Sequence, residues 1–419
     1  MRELSDTDFE VLLPFFSAGD WATLLVTLFT LSLTRAHDGE NLGTQWKRAA
    51  RADADQPLDL RHQLDRPLDE CRSVSTYSLL RALDDATLYN RQSHQPRRIN
   101  ALLGERSSYW LVSKVPPRTT RSVRTPDSPH ALANFHIIPQ TFRSGEQTLH
   151  IDLTAASATL NGALVASEPL GYVGHFDTHC DLSITHHAAT NEFTLGGIGT
   201  PELRRGEAAQ HAAAADGARF FVLPECTLMR GQRHPLARYL SERAESPCLS
   251  VLGSFPESDG SVSGCIRNDC ELIDYRGATL FSHSKTARAQ MGAGIGAEGI
   301  TTGNTLHVLA TDIGLVGVAI CIEFCGNVTA HAQVWQRIAA EWMLVPSMGA
   351  ESTLVEHRSA ADALHRNHKT VSLVANQSSE STAQWPGFAV VDKSGPISNA
   401  HNRLLALENQ TTNSKIKLS

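Results

Sequence analysis

Glu225, Lys285 and Cys321 are of the types that nucleophilic attack on a carbonyl or nitrile carbon needs, and each belongs to a short motif of this 419-residue chain. Glu225 closes the run Phe220-Phe221-Val222-Leu223-Pro224-Glu225. Lys285 follows Leu280-Phe281-Ser282-His283-Ser284, and Cys321 ends Gly317-Val318-Ala319-Ile320-Cys321. A cysteine thiol of ordinary pKa, about 8.5, supplies little thiolate at neutral pH. A carboxylate beside it can take the proton, and an ammonium can stabilise both the thiolate and the oxyanion that develops on the substrate. The backbone N–H of Ile322, directly after the cysteine, is a second oxyanion donor.

Two of these motifs are apolar runs that stop at a polar residue. Runs of four to eight apolar and β-branched residues bounded by turn signals predict buried strands, whose ends deliver side chains into a cleft. The pattern predicts strands near 220, 249, 265, 307, 316, 343, 372 and 388, alternating with helices near 205, 236, 330 and 357. One of these helices spans 201–216 and opens at Pro201. That order favours mixed sheets with helices on their outer faces.

The ordered motifs resemble those of the nitrilase superfamily of carbon–nitrogen hydrolases, whose Glu-Lys-Cys triad lies in similar settings. The resemblance covers roughly residues 185–400. Ala214-Ala215-Asp216-Gly217-Ala218-Arg219 is similar to the family's helix-to-strand lead-in, and Thr302-Gly303-Asn304 to a glycine turn before the nucleophile strand. Glu341 to Ser347, Val374-Ala375-Asn376-Gln377 and Gly387 to Gly395 resemble the strands that follow. The resemblance implies a four-layer α-β-β-α sandwich and an amidase or nitrilase acting through a cysteine thioester without metal or organic cofactor. It also implies a small amide or nitrile substrate, a homo-oligomer, and an accessory role for Glu298 near the leaving group. Ser347 and Met348 are candidates to line the substrate pocket. The family's first strand is expected at Leu182-Ser183-Ile184-Thr185. One departure stands out: Glu323 occupies the second position after the nucleophile, where aspartate followed by arginine is frequent, and Phe324-Cys325-Gly326 follows without arginine.

His175, Asp177, His179 and Asp181 alternate, so a strand would carry all four on one face. Asp-x-His-x-Asp spacing can hold divalent metals, which raises the alternative of a metal-dependent amidohydrolase using Asp177, His179 and Asp181. Its further ligands would come from scattered residues such as His357, Asp362, His365 and His368. Gly294 to Gly299 matches GxGxxG by letter, but no strand leads into it, so it is expected to be a flexible loop. Cys226 and Cys325 lie near the proposed site and compete with Cys321 for the nucleophile role.

The net charge of −7 argues against bulk nucleic-acid binding, and 41% apolar residues is ordinary for a globular protein. Eight cysteines without CxxC pairs fit a reducing compartment, with the cytoplasm as the expectation. The longest apolar stretch, Ala22 to Thr34, is too short for a bilayer span of about 20 residues and is expected to be a core helix capped by Asp20. No membrane association is expected.

Residues 1–130 form an expected first domain, mainly helical and of unknown role, separated by Pro116-Pro117 and Pro126-Asp127-Ser128-Pro129 from a hydrolase-like domain over 131–419. Within it, Asp84-Asp85 sit in a helical pattern, which argues against a metal-carboxylate site. Segment 91–124 carries Arg91, Arg97, Arg98, Arg106, Lys114, Arg118, Arg121 and Arg124 against Glu105, with Tyr109 and Trp110 between them. It is the one place where a nucleic-acid or acidic protein partner fits. A non-catalytic or partner-regulated module is therefore the other alternative.

Overall fold

A computed structural model describes residues 6–35, 79–80, 82–84, 87, 96–101, 107–114, 132, 134–144, 147–167, 170–174, 176, 183–196, 201–258, 265–291, 296–325, 331–349, 351–377, 387–390 and 415–417. The chain divides into two compact units, Met1–Thr141 and Phe142–Ser419. The division falls beyond the proline-marked position near 130.

In the first unit, helices α1 (Asp6–Ala18) and α2 (Trp21–Arg35) precede strands β1 (Arg97–Ala101), β2 (Ser107–Ser113) and β3 (Phe135–Pro139). The strands form an antiparallel sheet in the order β1-β2-β3. Asp20 caps α2 as expected, accepting from the Thr23 N–H at 3.2 Å and the Thr23 hydroxyl at 2.7 Å. Leu24, Leu25 and Leu28 are buried with Leu79, Leu80, Leu83, Ile99, Leu111 and Ile137 in one core. The expectation of a mainly helical unit thus omits a sheet. The basic segment supplies two of its strands because Ile99, between Arg98 and Asn100, and the run Trp110-Leu111-Val112 are buried. Asp84 is buried and accepts the Asn134 N–H at 2.9 Å. Arg98 lies over the Trp110 ring, 4.6 Å from its centroid. Arg91, Arg106, Arg118, Arg121 and Arg124 lie outside the described residues.

The second unit holds two large sheets. The first contains β4 (Thr141–Ser144), β5 (Gln147–Ala155), β15 (Thr305–Thr311), β16 (Gly314–Val318), β17 (Trp342–Met348), β18 (Val371–Gln377) and β19 (Gly387–Val390), in the order β19-β18-β17-β16-β15-β5-β4. The second contains β6 (Leu170–Val173), β9 (Phe220–Glu225), β10 (Leu249–Ser258), β11 (Ile266–Asp274), β12 (Thr279–Ser284) and β20 (Lys415–Lys417), in the order β12-β11-β10-β9-β6-β20. Between β5 and β6 lies helix α3 (Ala158–Ala166), capped by Ser157.

The two sheets face each other. Phe220 and Val222 of β9, Val251 of β10 and Leu272 of β11 share a buried core with Val316 and Val318 of β16, Leu344 of β17 and Leu373 of β18. The alternate residues Phe221 and Leu223 point the other way. They pack with Ala208 and Ala212 of α4 (Pro201–Ala214) and with Leu236 and Leu240 of α5 (Arg230–Ser241). On the outer face of β16, a Cβ at Gly317 would come within 2.7 Å of the Trp335 ring of α6 (His331–Ile338), so glycine lets that helix close onto the sheet. Helix α7 (Glu351–His368) follows β17. The architecture is the four-layer α-β-β-α sandwich expected from sequence.

Two local expectations are corrected. Residues Ser183–His187 (β7) pair with β8 (Glu192–Gly196) in a small separate sheet and are exposed along their whole length. The core's early strands are instead β5 and β6, whose buried faces carry Leu149, Ile151, Leu153, Tyr172 and Val173. The GxGxxG segment is not simply a loop: Gly296–Glu298 form β14, which pairs with β8 and with β13 (Gln290–Met291). Gly296 takes φ +89°, and a Cβ there would meet the Asn191 carbonyl oxygen at 1.9 Å. The glycine serves a close backbone approach rather than phosphate binding.

Candidate active site

Each triad residue sits at a strand end. Glu225 is the last residue of β9, next to the neighbouring strand β10. At a bulge in β10, Gly253 has φ +73°, and a Cβ there would meet the Pro224 carbonyl oxygen at 2.4 Å. Lys285 follows β12 directly. Its N–H donates to the Asn268 carbonyl at 2.8 Å, and its own carbonyl accepts from the Gly303 N–H at 2.9 Å. The Thr302-Gly303-Asn304 turn thus holds the lysine backbone, and a Cβ at Gly303 would meet the Ser284 oxygen at 2.6 Å.

Cys321 follows β16 at φ +47°, in the left-handed region that a side-chain-bearing residue adopts at a cost of about 1–3 kcal/mol. A single 3-10 turn, Cys321–Glu323, follows it. In this turn the N–H groups of Glu323, Phe324 and Cys325 bond back to Ile320, Cys321 and Ile322, and that of Ile322 is not among them.

The three side chains meet. Lys285 Nζ donates to Glu225 Oε1 at 2.7 Å and to Glu298 Oε2 at 2.8 Å. Asn268 Nδ2 donates to the same Glu225 oxygen at 2.8 Å, which leaves Oε2 for the Cys321 proton. The Cys321 thiol donates to the Met348 carbonyl at 3.5 Å and accepts from the Ser347 hydroxyl at 3.5 Å, and Glu225 and Lys285 lie close enough for their charges to act on it. Glu225, Lys285 and Glu298 are all at most 3% exposed.

Burial, reinforced by the Glu225 charge and only partly offset by Lys285, pushes the Cys321 thiol up to about 12. Burial also raises the Glu225 carboxyl above its ordinary value, against the pull of Lys285. For Lys285 burial alone works downward, but Glu225 and Glu298 outweigh it and hold the ammonium well above 10.5. The resting site is a neutral thiol, a carboxylate of strengthened basicity and a fixed cation.

Glu323, the departure from the family pattern, supports this turn. It is fully buried and accepts from His283 Nε2 at 2.8 Å, the Thr286 hydroxyl at 2.6 Å, the Thr286 N–H at 2.5 Å and the Ile320 N–H at 2.6 Å. Although burial works upward, His283, Thr286 and Ile320 hold its carboxyl down at about 2. One side chain therefore ties the cysteine turn to the lysine loop, with no arginine needed.

Sequence reasoning missed Asn268, His283 and Thr286, and named His357 only as a scattered metal ligand. For the first three the available signal was their position in or beside the Lys285 motif and on the strand paired with it. His357, on α7, had none.

Of the competing residues, Cys325 stays next to the nucleophile, its sulfur 4.0 Å from the Cys321 carbonyl. Cys226 is buried against Phe255, and Cys325 lies 2.9 Å from His357 Nδ1. His175, Asp177, His179 and Asp181 lie outside the described residues. Their expected co-ligands are dispersed: His365 Nδ1 lies 3.0 Å from the Thr370 carbonyl and His368 Nε2 lies 3.0 Å from Gln336. Among the described residues no group of three or more His, Cys, Asp or Glu side chains is placed to hold a metal ion. No described helix is long and apolar enough to cross a membrane.

No protein-family model matches the chain, and no curated protein matches it either. Among solved structures it is similar to an amidase from Nesterenkonia sp., at 16% identity and TM-score 0.37, over 54% of this chain and 82% of that one. It is similar to the C. elegans NitFhit protein, at 16% identity and TM-score 0.38, over 54% of this chain and 56% of that one. Saccharomyces cerevisiae Nit3, described as a member of branch 10 of the nitrilase superfamily, aligns at 14% identity and TM-score 0.41, over 64% of this chain and 93% of that one.

Proposed function

We propose that the chain is a carbon–nitrogen hydrolase that cleaves a non-peptide amide or a nitrile through a Cys321 thioester or its nitrile counterpart. The observation that carries this reading is the meeting of Cys321, Glu225 and Lys285 in one buried cluster, with the cysteine on a positive-φ turn at the end of a core strand. A thiol held near 12 is not a standing thiolate. Deprotonation therefore accompanies attack: Glu225 takes the Sγ proton as the C–S bond forms. The oxyanion on the former carbonyl oxygen is held by the Ile322 N–H and by Lys285, whose third ammonium proton remains after Glu225 and Glu298 take two. As the C–N bond breaks, Glu225 returns the proton to the departing ammonia or amine. Water then attacks the thioester while Glu225 accepts its proton, and the collapse of that intermediate restores the thiol and releases the acid. Glu298 holds Lys285 in place together with Glu225. Ser347 and Met348 line the nucleophile's surroundings.

Incubation with a panel of small aliphatic amides, followed by intact-mass analysis, tests the reading. An acyl adduct on Cys321 that is absent from Cys321→Ala is expected, and activity should persist in chelator. Label on Cys226 or Cys325, or undiminished turnover in Cys321→Ala, would sink it. Activity should rise with pH through a midpoint above that of an ordinary glutamate, because the base must be unprotonated and burial raises Glu225. It should hold past pH 10, because Lys285 keeps its proton.

A further inference from the structure

The mechanism above gives no step to His357, Cys325 or Ser347, three buried side chains that connect to the nucleophile. His357 of α7 is fully buried, with Nε2 2.7 Å from the Ser347 hydroxyl and Nδ1 2.9 Å from the Cys325 sulfur. Ser347 in turn reaches the Cys321 sulfur at 3.5 Å. The Cys325 sulfur lies 2.9 Å from Nδ1 and 4.0 Å from the Cys321 carbonyl, and giving its proton to the nearer acceptor sets one direction along the row. Burial pushes the Cys325 thiol well above its ordinary value, so its sulfur carries a proton and has a donor for Nδ1. Burial holds His357 down at about 3, so the ring is neutral and carries one N–H. With Nδ1 accepting, that N–H is on Nε2 and points at Ser347 Oγ. The serine hydroxyl, its oxygen engaged as acceptor, is left to donate to Cys321.

We propose that Cys325, His357 and Ser347 form a positioning relay that keeps the Ser347 hydroxyl aimed at the Cys321 sulfur, where it stabilises negative charge as the nucleophile forms and as it leaves the acyl group. None of the three gains or loses a proton; they act through orientation. The inference rests on Cys321 being the nucleophile. The other ionisable groups facing that sulfur are Glu225, Lys285 and Cys325, with Glu298 behind Lys285, and Glu356 acts on Cys325. None of them fixes the serine hydroxyl. Without the Cys325 donor, His357 can move its proton to Nδ1, Nε2 becomes an acceptor, and the Ser347 hydroxyl turns away to the ring.

The test is alkylation of Cys321 by iodoacetamide, in which the C–S bond forms as iodide leaves, followed by peptide mass analysis between pH 6 and pH 10. Because it needs no turnover, it is separable from the hydrolase reading. Turnover by Cys321→Ala would overturn that reading while the alkylation series still reports on the relay. A hydrogen bond to a charged group lost in Ser347→Ala should slow alkylation about tenfold across the range, equivalent to about one pH unit. Ser347→Thr should recover most of the rate. Cys325→Ala should slow it severalfold, and Cys325→Ser, which keeps an O–H donor for Nδ1, should restore it. If Ser347→Ala fails to fold by circular dichroism, the Cys325 pair decides. Equal rates in Cys325→Ala and Cys325→Ser, or an unchanged rate in folded Ser347→Ala, would overturn the relay.

Discussion

His283 and His357 are both fully buried beside the segment that carries Cys321, yet their pKa values are shifted in opposite directions. Burial pushes both toward the neutral form. At His283 the carboxylate of Glu323, 2.8 Å away, overcomes burial and raises the pKa above 6.5. At His357 the partners are a hydroxyl and a thiol, so burial wins and the pKa falls to about 3. The difference teaches how one site obtains two kinds of support. A charged pair braces the turn against the lysine loop, and a neutral row orients a donor onto the nucleophile without adding a charge that would compete with Lys285.

The comparison breaks most visibly in acid. His357 binds its proton far more weakly folded than unfolded, so its contribution is present above pH 6.5 and is lost as the pH falls toward 3. At 1.36 kcal/mol per pH unit the loss is on the order of 5 kcal/mol. Urea unfolding at stepped pH should show this slope in the native protein and a much shallower one in His357→Gln. Identical slopes would mean that the ring is not held neutral.

Glu323→Ala comes next. It removes the buried partner of His283, and breaking a buried ion pair costs about 3–5 kcal/mol where the histidine is protonated. Removing both charges in His283→Gln/Glu323→Gln should cost less than Glu323→Ala alone, and a larger cost would deny the pairing. On the alkaline side the sign reverses. Because folding raises the His283 pKa, its contribution is complete below 6.5 and declines as the pH rises through the folded value. Stability of the Glu323 variants should therefore lack this alkaline decline.

The smallest effect calibrates the comparison. Arg238 and Glu242 form an ion pair at 3.1 Å on the surface of α5, with side chains 82% and 63% exposed. Arg238→Ala should change unfolding free energy by no more than about 0.5 kcal/mol, since solvent screens such pairs. A loss comparable to that of Glu323→Ala would show that charge pairing is equally strong at both depths.

Much of the sandwich was legible because a strand's period of two and a helix's period of 3.6 are local properties. The run 220–225, the run 316–321 and the alanine-rich helix carry them openly. The strand at 183–187 misled because alternation alone does not tell a core strand from an exposed hairpin. The separate lead, that segment 91–124 is a charged stretch, concealed two strands whose few apolar residues fill a core built by residues far along the chain.

By itself the sequence determined the chemical types and their delivery: a glutamate, a lysine and a cysteine, each placed at or just past the end of an apolar run. Tertiary structure decided which neighbours act on them. Asn268 is 43 residues from Glu225, and His283 is 40 from Glu323. No periodicity links positions so far apart, and only the pairing and facing of the strands bring them within hydrogen-bonding distance. Proton affinity follows from that packing, because it depends on the water excluded and the partner supplied, so two histidines of the same intrinsic pKa are shifted in opposite directions.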